Sequence, residues 1–516
     1  MLETLKVLVS HTPTFASTIV NHYVKGPPQP SWDIQFHVIF VAIKILFGSS
    51  IVKTVEHTQK ATAKGPPLSK EFSEVEIVIP NQFRKKAQPY LEQVIKDYQY
   101  ILDDEWKQFE DDDKVLNAKW IYSKKQGFKR SQENLRVILY LHGGAYCICS
   151  TDTCRSITTN LAKESDALVF AIDYRLAPQN QFPAGLHDTI AAYFYLINPP
   201  ADAGFEPIDP KRIVIAGDSA GGGLALATLL TLRDSGLSML AGAVCLSPWV
   251  DLTHSMPSLL DPRCDLTDYI PNSGFGDLPP SPAINEYKRK AKKLSNRIKA
   301  EIRSPFWDES FNRDERIQLY VNNEALGIPY VSPLCAESLA GLPPMLIQAG
   351  DGEKLRDESI YLSFKASQPD KYKLPAYNAG KFERSPFKTP TNVTFELYED
   401  MPHVFQLFDF SKSAKISIQR SGEYIQKLVS HSTSTSTSFN SSDDLLPSLD
   451  FTKSTYSLIT AKGKTLPLND KHMEVLEWTE VGKVPQMRRP SFKKSGSKMH
   501  PLVYLLLFVV IFMYLK

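Results

Sequence analysis

Short apolar runs bounded by turn residues recur through the middle of the chain: Arg136–Leu141, Ala167–Asp173, Arg212–Ala216, Ala243–Leu246, Met345–Ala349 and Val393–Tyr398. Each is short and rich in branched or apolar residues, which predicts strands buried on both faces. Most are separated by segments with helical spacing, so the pattern predicts a largely parallel sheet covered by helices, an α/β domain. Upstream, Tyr90–Phe109 carries apolar residues near helical spacing and reads as an amphipathic helix. The run Val38–Phe47 is interrupted by Lys44. At about ten residues it is well short of the ~20 that span a bilayer, and it reads as a buried or interfacial helix.

Two insertions break the alternation. The first, at about 255–320, holds a Pro/Gly-rich loop and then a basic helix. There Ile284, Tyr287, Ala291, Leu294 and Ile298 share one face under a crowd of lysines and arginines. A core-facing stripe beneath a solvated face accounts for it; a helix resting on an anionic membrane beside a site mouth is the sharper reading. The second insertion, Gln368–Thr391, reads as a loop. After Val429 the composition turns Ser/Thr-rich, too polar to build a core, and residues 431–500 read as a flexible tether. From Leu502 to Leu515 every side chain is apolar or aromatic, behind Lys483, Arg488, Arg489, Lys493, Lys494 and Lys498 with no intervening acid. Basic flanks tend to stay cytoplasmic. The segment therefore reads as a short C-terminal membrane anchor with the folded mass on the cytosolic side, in the endoplasmic reticulum first and the mitochondrial outer membrane next.

Composition narrows the choices only slightly. The 59 Lys and Arg against 57 Asp and Glu leave a net charge of +2, so no overall field argues for nucleic acid. Six cysteines in 516 residues form no disulfide framework. Cys147, Cys149 and Cys154 cluster without a second metal-type pair and read as buried thiols. No cleavable signal peptide pattern opens the chain.

The chemistry is carried by a spaced constellation. Gly217-Asp218-Ser219-Ala220-Gly221 follows one expected strand and opens an Ala- and Leu-rich helix, the context of a G-x-S-x-G nucleophile elbow. Ser219 is then the nucleophile, at a helix N-terminus whose dipole favours developing negative charge. His142-Gly143-Gly144 ends an earlier strand. Backbone N–H groups of Gly143 and Gly144, with that of Ala220, are candidate oxyanion donors. A serine needs a base, and in this architecture the chain order is Ser, acid, His. Of the eleven histidines, His403 follows the strand Val393–Tyr398 and is the natural base; His431, His472 and His500 fall in the tether.

These motifs resemble a family. His142-Gly143-Gly144, Tyr174-Arg175-Leu176-Ala177-Pro178 with Phe182-Pro183-Ala184, Gly217–Gly222, Leu342-Pro343-Pro344 and Leu355-Arg356-Asp357-Glu358 look like the hormone-sensitive-lipase-like esterases. The match covers roughly residues 133–428. Ser247-Pro248-Trp249 and the large insertion suggest the fungal branch that includes steryl acetyl hydrolases. The resemblance implies an α/β-hydrolase fold with a mostly parallel central sheet, a helical N-terminal cap and an inserted lid region. It divides the chain into a cap with lead-in strands (1–132), a catalytic domain (133–430), the tether (431–500) and the anchor (501–516). Family members usually place aspartate three residues before the Arg of Leu-Arg-Asp-Glu; that position holds Glu353, which inherits the role of triad acid. Asp351 is the competing carboxylate. His142, Arg175, Asp188 and Asp218 resemble positions that hold the site's loops, and Asp357 and Glu358 are expected to cap or salt-bridge the following helix.

The implied activity is hydrolysis of a lipophilic short-acyl ester, an acetylated sterol or acyl lipid, by a Ser-His-Glu triad that requires no metal or cofactor. The partners expected are that substrate and a membrane, with no nucleic acid; the sequence is silent on oligomeric state. Two rivals share the scaffold. Arylacetamide deacetylases suggest an amide substrate, and plant gibberellin receptors, which have lost the histidine, suggest ligand binding without catalysis. The N-glycosylation pattern Asn392-Val393-Thr394 overlaps an expected strand and is discounted on that ground.

Overall fold

The computed structural model describes residues 7–50, 53–109, 115–128, 135–271, 278–301, 318–372, 385–433 and 450–483. Three helices open the chain: α1 (Thr12–Lys25), α2 (Ile34–Ser50) and α3 (Val55–Thr62). Strand β1 (Phe72–Ile79), helix α4 (Gln82–Ile95) and strand β2 (Leu116–Ser123) follow. Strands and helices then alternate as β3 (Val137–Leu141), α5 (Arg155–Ser165), β4 (Leu168–Asp173), α6 (Ala184–Ile197), β5 (Ile213–Asp218), α7 (Ala220–Asp234) and β6 (Gly242–Leu246). The basic helix α8 (Pro282–Glu301) stands in the first insertion. After it come β7 (Met345–Gly350), α9 (Arg356–Ser367), β8 (Val393–Tyr398), α10 (Lys412–Thr433), β9 (Thr455–Ile459) and β10 (Thr465–Pro467).

The strands form one sheet in the order β1-β2-β4-β3-β5-β6-β7-β8-β9-β10. From β4 to β9 every pairing is parallel, and β1, β2 and β10 are antiparallel additions at the two edges. This is the mostly parallel α/β sheet expected. The two-residue period of a strand sorts the core onto two faces. Ile138 and Tyr140 pack with Ile157 and Leu161 of α5 and with Ile425 and Leu428 of α10. Val137, Leu139 and Leu141 pack on the side of Leu186, Leu224 and Leu362, from α6, α7 and α9. Crossovers on both faces leave the C-terminal strand ends open, where an α/β sheet places its site.

Several expectations need correcting. The helix expected at Tyr90–Phe109 is displaced. Phe83, Ala87, Leu91 and Ile95 form the buried stripe of α4, and the chain then tightens into a 3-10 turn at Lys96–Ile101. Strands β1 and β2 fall where lead-in strands were expected before residue 132, though no apolar run marks their positions: both lie at or near a sheet edge, where exposed Glu76 and Asn117 interrupt the pattern. The expected flexible tether is folded in part. Strand β9 pairs with β8 from Thr394↔Thr455 to Tyr398↔Ile459, covering backbone groups that an edge strand would leave unpaired. Asn392 donates its side-chain amide to the Phe451 carbonyl at 2.6 Å. Helix α8 is the core-facing kind: Ile284, Tyr287 and Ile298 are buried, and Lys288, Lys292 and Lys293 face outward. No described helix is long and apolar enough to cross a membrane. The apolar run Leu502–Leu515 and the basic residues from Arg488 to Lys498 lie outside the described residues.

Candidate active site

Between β5 and α7 the backbone reverses at Ser219, whose φ of 52° and ψ of −120° lie where only glycine is at ease. Holding serine there costs on the order of 1–3 kcal/mol, which the surrounding bonds must offset. Ser219 N–H donates to the Leu246 carbonyl at 2.9 Å, and its own carbonyl accepts from Trp249 N–H at 2.9 Å and Gly223 N–H at 3.1 Å. Close packing fixes the residue after the turn. A Cβ on Gly221 would sit 2.0 Å from the Leu141 carbonyl oxygen, so no larger residue fits where α7 starts against β3.

His403 reaches the serine from the turn after β8, with Nε2 2.9 Å from Ser219 Oγ. Its Nδ1 faces Glu353 Oε1 at 3.9 Å, longer than a hydrogen bond, and both atoms are buried without another partner. The other carboxylate oxygen of Glu353 is occupied. Oε2 accepts from Ser247 Oγ at 2.6 Å and from Gly350 N–H at 2.9 Å. Ser247 Oγ in turn accepts from Val404 N–H at 3.0 Å, so one hydroxyl ties the acid to the residue after the histidine. Burial is the largest influence on both groups. It raises the Glu353 pKa above the ordinary carboxylate value, against the pull of His403 and Ser247. At His403 burial disfavours the cation, but the Glu353 carboxylate and the more distant Asp268 and Asp218 outweigh it, so its pKa is raised.

Asp351, the competing acid, is turned elsewhere: it accepts from His472 Nε2 at 3.0 Å, and Arg356 lies 3.8 Å away. His472 belongs to the segment expected to be tether, so the bond that occupies Asp351 had no counterpart in the sequence reading. Asp357 and Glu358 do not merely serve their own helix. Asp357 accepts from Ser258 N–H at 2.8 Å and Glu358 from Val250 N–H at 3.0 Å, tying the start of the insertion and the loop after β6 to α9.

The glycine loop is also rearranged relative to expectation. Gly143 N–H donates to Asp218 Oδ1 at 3.1 Å, so this amide is engaged and does not stand free for an oxyanion. Tyr140 Oη donates to the same oxygen at 2.6 Å, which makes Asp218 the brace between β3, the glycine loop and the elbow. Gly144, Ala145 and Tyr146 then run through positive φ values of 103°, 52° and 62°, curling the loop over the cavity. Gly144 lines the cavity beside Ser219, and the Ala220 N–H is in the first turn of α7, where no intrahelical acceptor exists. His142 stacks on Tyr174 with ring centroids 4.3 Å apart, and burial lowers its pKa. Arg175 pairs with Asp188 at 3.0 Å, and Arg84 joins the same carboxylate at 2.7 Å. These three residues brace the loop after β4 outside the cavity.

Ser219 and His403 open onto a cavity of about 750 Å³ walled by Phe47, Ile148, Trp249, Leu259, Tyr269 and Leu407. Its walls come from α2 and the first insertion as well as from the sheet. Among polar wall groups, His254 is held down to about 4 by burial, and its Nε2 meets the Gln318 side-chain amide at 2.6 Å.

The α/β hydrolase fold family model matches residues 138–270. An acetyl-hydrolase of Streptomyces hygroscopicus is 30% identical over 291 residues, covering 56% of this chain and 73% of the relative. An esterase of Acinetobacter venetianus is 30% identical over 53% of this chain and 69% of its own length. The chain belongs to the hormone-sensitive-lipase-like esterases. Among solved structures, an esterase/lipase from an uncultured bacterium superposes with a TM-score of 0.50 at 26% identity, over 76% of this chain and 98% of its own. A shorter stretch matches mouse neutral cholesterol ester hydrolase 1, 38% identical over 105 residues, 20% of this chain and 26% of that one.

Sequence reasoning about this hormone-sensitive-lipase-like esterase missed three residues around the acid. Ser247 was visible only as part of Ser247-Pro248-Trp249 at the end of β6. Asp268, fully buried, accepts from Lys354 N–H at 2.7 Å and fixes the acid turn. Tyr269 stands over His403 with ring centroids 5.8 Å apart. Both come from the insertion, where no strand-end pattern points to them.

Proposed function

We propose that the chain hydrolyses lipophilic short-acyl esters, with Ser219 as nucleophile, His403 as base and Glu353 as the acid behind it. The observation that carries the reading is the 2.9 Å contact between Ser219 Oγ and His403 Nε2 at the wall of a largely apolar cavity. In the first half-reaction His403 takes the proton as Ser219 Oγ attacks the carbonyl carbon. The tetrahedral oxyanion is held by the Gly144 and Ala220 N–H groups at the positive end of α7. Collapse breaks the acyl–oxygen bond, and His403 returns the proton to the departing alcohol. Water then repeats the sequence on the acyl-serine and releases the acid. Glu353 sets the imidazole tautomer and stabilises the transient imidazolium. As His403 gains charge, attraction to Glu353 draws their 3.9 Å gap toward hydrogen-bond length. No metal or cofactor enters these steps.

An acetylated sterol or a short-acyl lipid of the fungal steryl-acetyl-hydrolase kind fits the reading, with the C-terminal segment anchoring the enzyme to the cytosolic face of the endoplasmic reticulum. The test is hydrolysis of p-nitrophenyl esters of graded acyl length, with the matching acetanilide beside them. Activity that peaks at acetyl or butyryl and disappears in Ser219→Ala supports the proposal. Preference for the anilide would transfer the same triad to amide substrates. Ligand binding without turnover of either would leave the fold as a receptor.

A further inference from the structure

The outer side of α1 presents apolar residues to solvent. Val20, Tyr23 and Val24 are 60%, 72% and 74% exposed, and Val9, in the helical turn just before α1, is 47% exposed. With half-buried Pro13 and Ala16 between them, they recur every three to four residues along one side. The inner side is different: Thr12, Phe15 and Thr18 are buried. Ser10, Thr14, Ser17 and Asn21 form a third, uncharged stripe, and α1 contains no acid. A helix that needed only solubility would not keep four large apolar groups in water.

Position gives the stripe its meaning. Helix α1 packs along α2, where His22 and His37 approach to 3.2 Å between their Nδ1 atoms. Helix α2 carries Leu46 and Phe47 into the cavity wall. Lys44 of α2 donates to the Asp265 carbonyl, and the next residue, Leu266, is 67% exposed. Leu260 both lines the cavity and is 44% exposed. Exposed apolar side chains thus stand on the helix packed against α2 and on the insertion, and α2 and the insertion both line the cavity. The last described residues also pack here. Gly482 N–H bonds Ser255 Oγ at 2.7 Å, next to His254 of the cavity wall, and the sequence beyond 483 runs into lysines, arginines and the apolar stretch 502–515.

We infer that this face docks on a lipid surface, with the outer stripe of α1 and the leucines of the insertion seated among acyl chains and the cavity mouth opening into the layer. It rests on the lipophilic-ester reading above for its purpose, and not for its geometry. Apolar side chains on a helix that carries no acid and ends in Lys25 suit the interfacial zone of a bilayer. The six exposed apolar side chains of this face, Val9, Val20, Tyr23, Val24, Leu260 and Leu266, are few beside the roughly 20–30 residues per side of a stable dimer.

Full-length protein with an environment-sensitive NBD label on Val20→Cys, and separately on Ser17→Cys on the polar stripe, is mixed with phosphatidylcholine–phosphatidylserine vesicles. The Val20 label is expected to brighten, shift blue and be quenched by lipid-borne spin labels, while the Ser17 label stays near its aqueous spectrum. Val20→Glu/Val24→Glu is expected to slow hydrolysis of a vesicle-embedded ester about three- to tenfold, leaving p-nitrophenyl acetate within about twofold. A Val20 label indifferent to vesicles overturns the inference while leaving the esterase reading intact. Brightening that depends on protein concentration without lipid also overturns it, in favour of a second copy. Failure on p-nitrophenyl acetate by the wild-type chain would instead remove the esterase reading, and the label's response would still decide the docking.

Discussion

The turn that holds Ser219 and the turn that holds Glu353 both follow a parallel strand, yet they are built on different principles. At Ser219 itself the serine turn is held by backbone: a residue at positive φ, main-chain hydrogen bonds to Leu246 and Trp249, and a glycine that a methyl group would drive into Leu141. The acid turn is fastened by side chains brought from far away in sequence. Asp268 of the insertion, Ser247 after β6 and His472 near the far end of the chain each contribute a bond. A backbone-built turn tolerates remote change, whereas a turn made of tertiary contacts transmits it. The distances agree: 2.9 Å on the serine side of the imidazole and 3.9 Å on the acid side.

Removing the nucleophile breaks the comparison most severely. Ser219→Ala is expected to lower kcat by at least about 10⁴-fold while thermal stability changes little, because the strain at positive φ stays and the one hydrogen bond lost, to His403 Nε2, is only partly buried. Gly221→Ala tests the same turn from the other side. Its Cβ would have to displace the β3 backbone, so a loss of roughly 3 kcal/mol or more is expected in denaturant melts.

Next comes the acid. Glu353→Gln is expected to reduce kcat about 10²- to 10⁴-fold, since the amide can favour the wrong imidazole tautomer. It also moves the pH profile in a defined direction. The base must be neutral to act, and Glu353 is the chief group raising the His403 pKa, so the acid limb of wild-type kcat/KM lies above the ordinary histidine value. In Glu353→Gln the limb shifts to lower pH; an unmoved limb would show that another carboxylate serves His403. Ser247→Ala acts through the same pair at smaller scale. It leaves Val404 N–H and Glu353 Oε2 each one partner short, with an expected fall in kcat of about tenfold and a stability loss of about 1–3 kcal/mol.

The same contrast explains what the sequence disclosed. The strands from β3 to β8 are short runs dominated by apolar residues because crossover helices bury both faces, and the Ser219 elbow is a local pattern that needs its glycines where they stand. Glu353 was reached by counting from Pro343-Pro344, a local relation as well. What the sequence concealed depends on assembly. The β9 strand is five residues of ordinary polarity that become a strand only because β8 leaves an edge. Asp268 and Tyr269 lie in the stretch of the insertion before its periodic helix, where no pattern marks them. The Gly143 amide, read as an oxyanion donor, is claimed by Asp218 from the elbow itself, a contact between residues that no motif pairs.

The smallest effect separates the two carboxylates of the acid turn. Asp351 is two residues from Glu353, but its charge is spent on His472 and, more loosely, on Arg356. Asp351→Asn is therefore expected to change kcat by no more than about threefold, against the far larger loss in Glu353→Gln. Stability should respond instead. Burial opposes the Asp351 charge, yet the bond from His472 and the nearby cations win and lower its pKa. A carboxylate depressed on folding adds stability above its unfolded pKa, near 3.9, and loses it as pH falls through the lower folded value. Chemical denaturation from pH 6 down to pH 3 should show wild type losing its advantage over Asp351→Asn at the acid end. His472→Gln should remove most of that pH dependence while leaving ester hydrolysis nearly intact. If His472→Gln instead matched Glu353→Gln in activity, the acid turn would depend on the C-terminal segment for its catalytic geometry, and remote side chains would matter to the chemistry as much as the backbone does at Ser219.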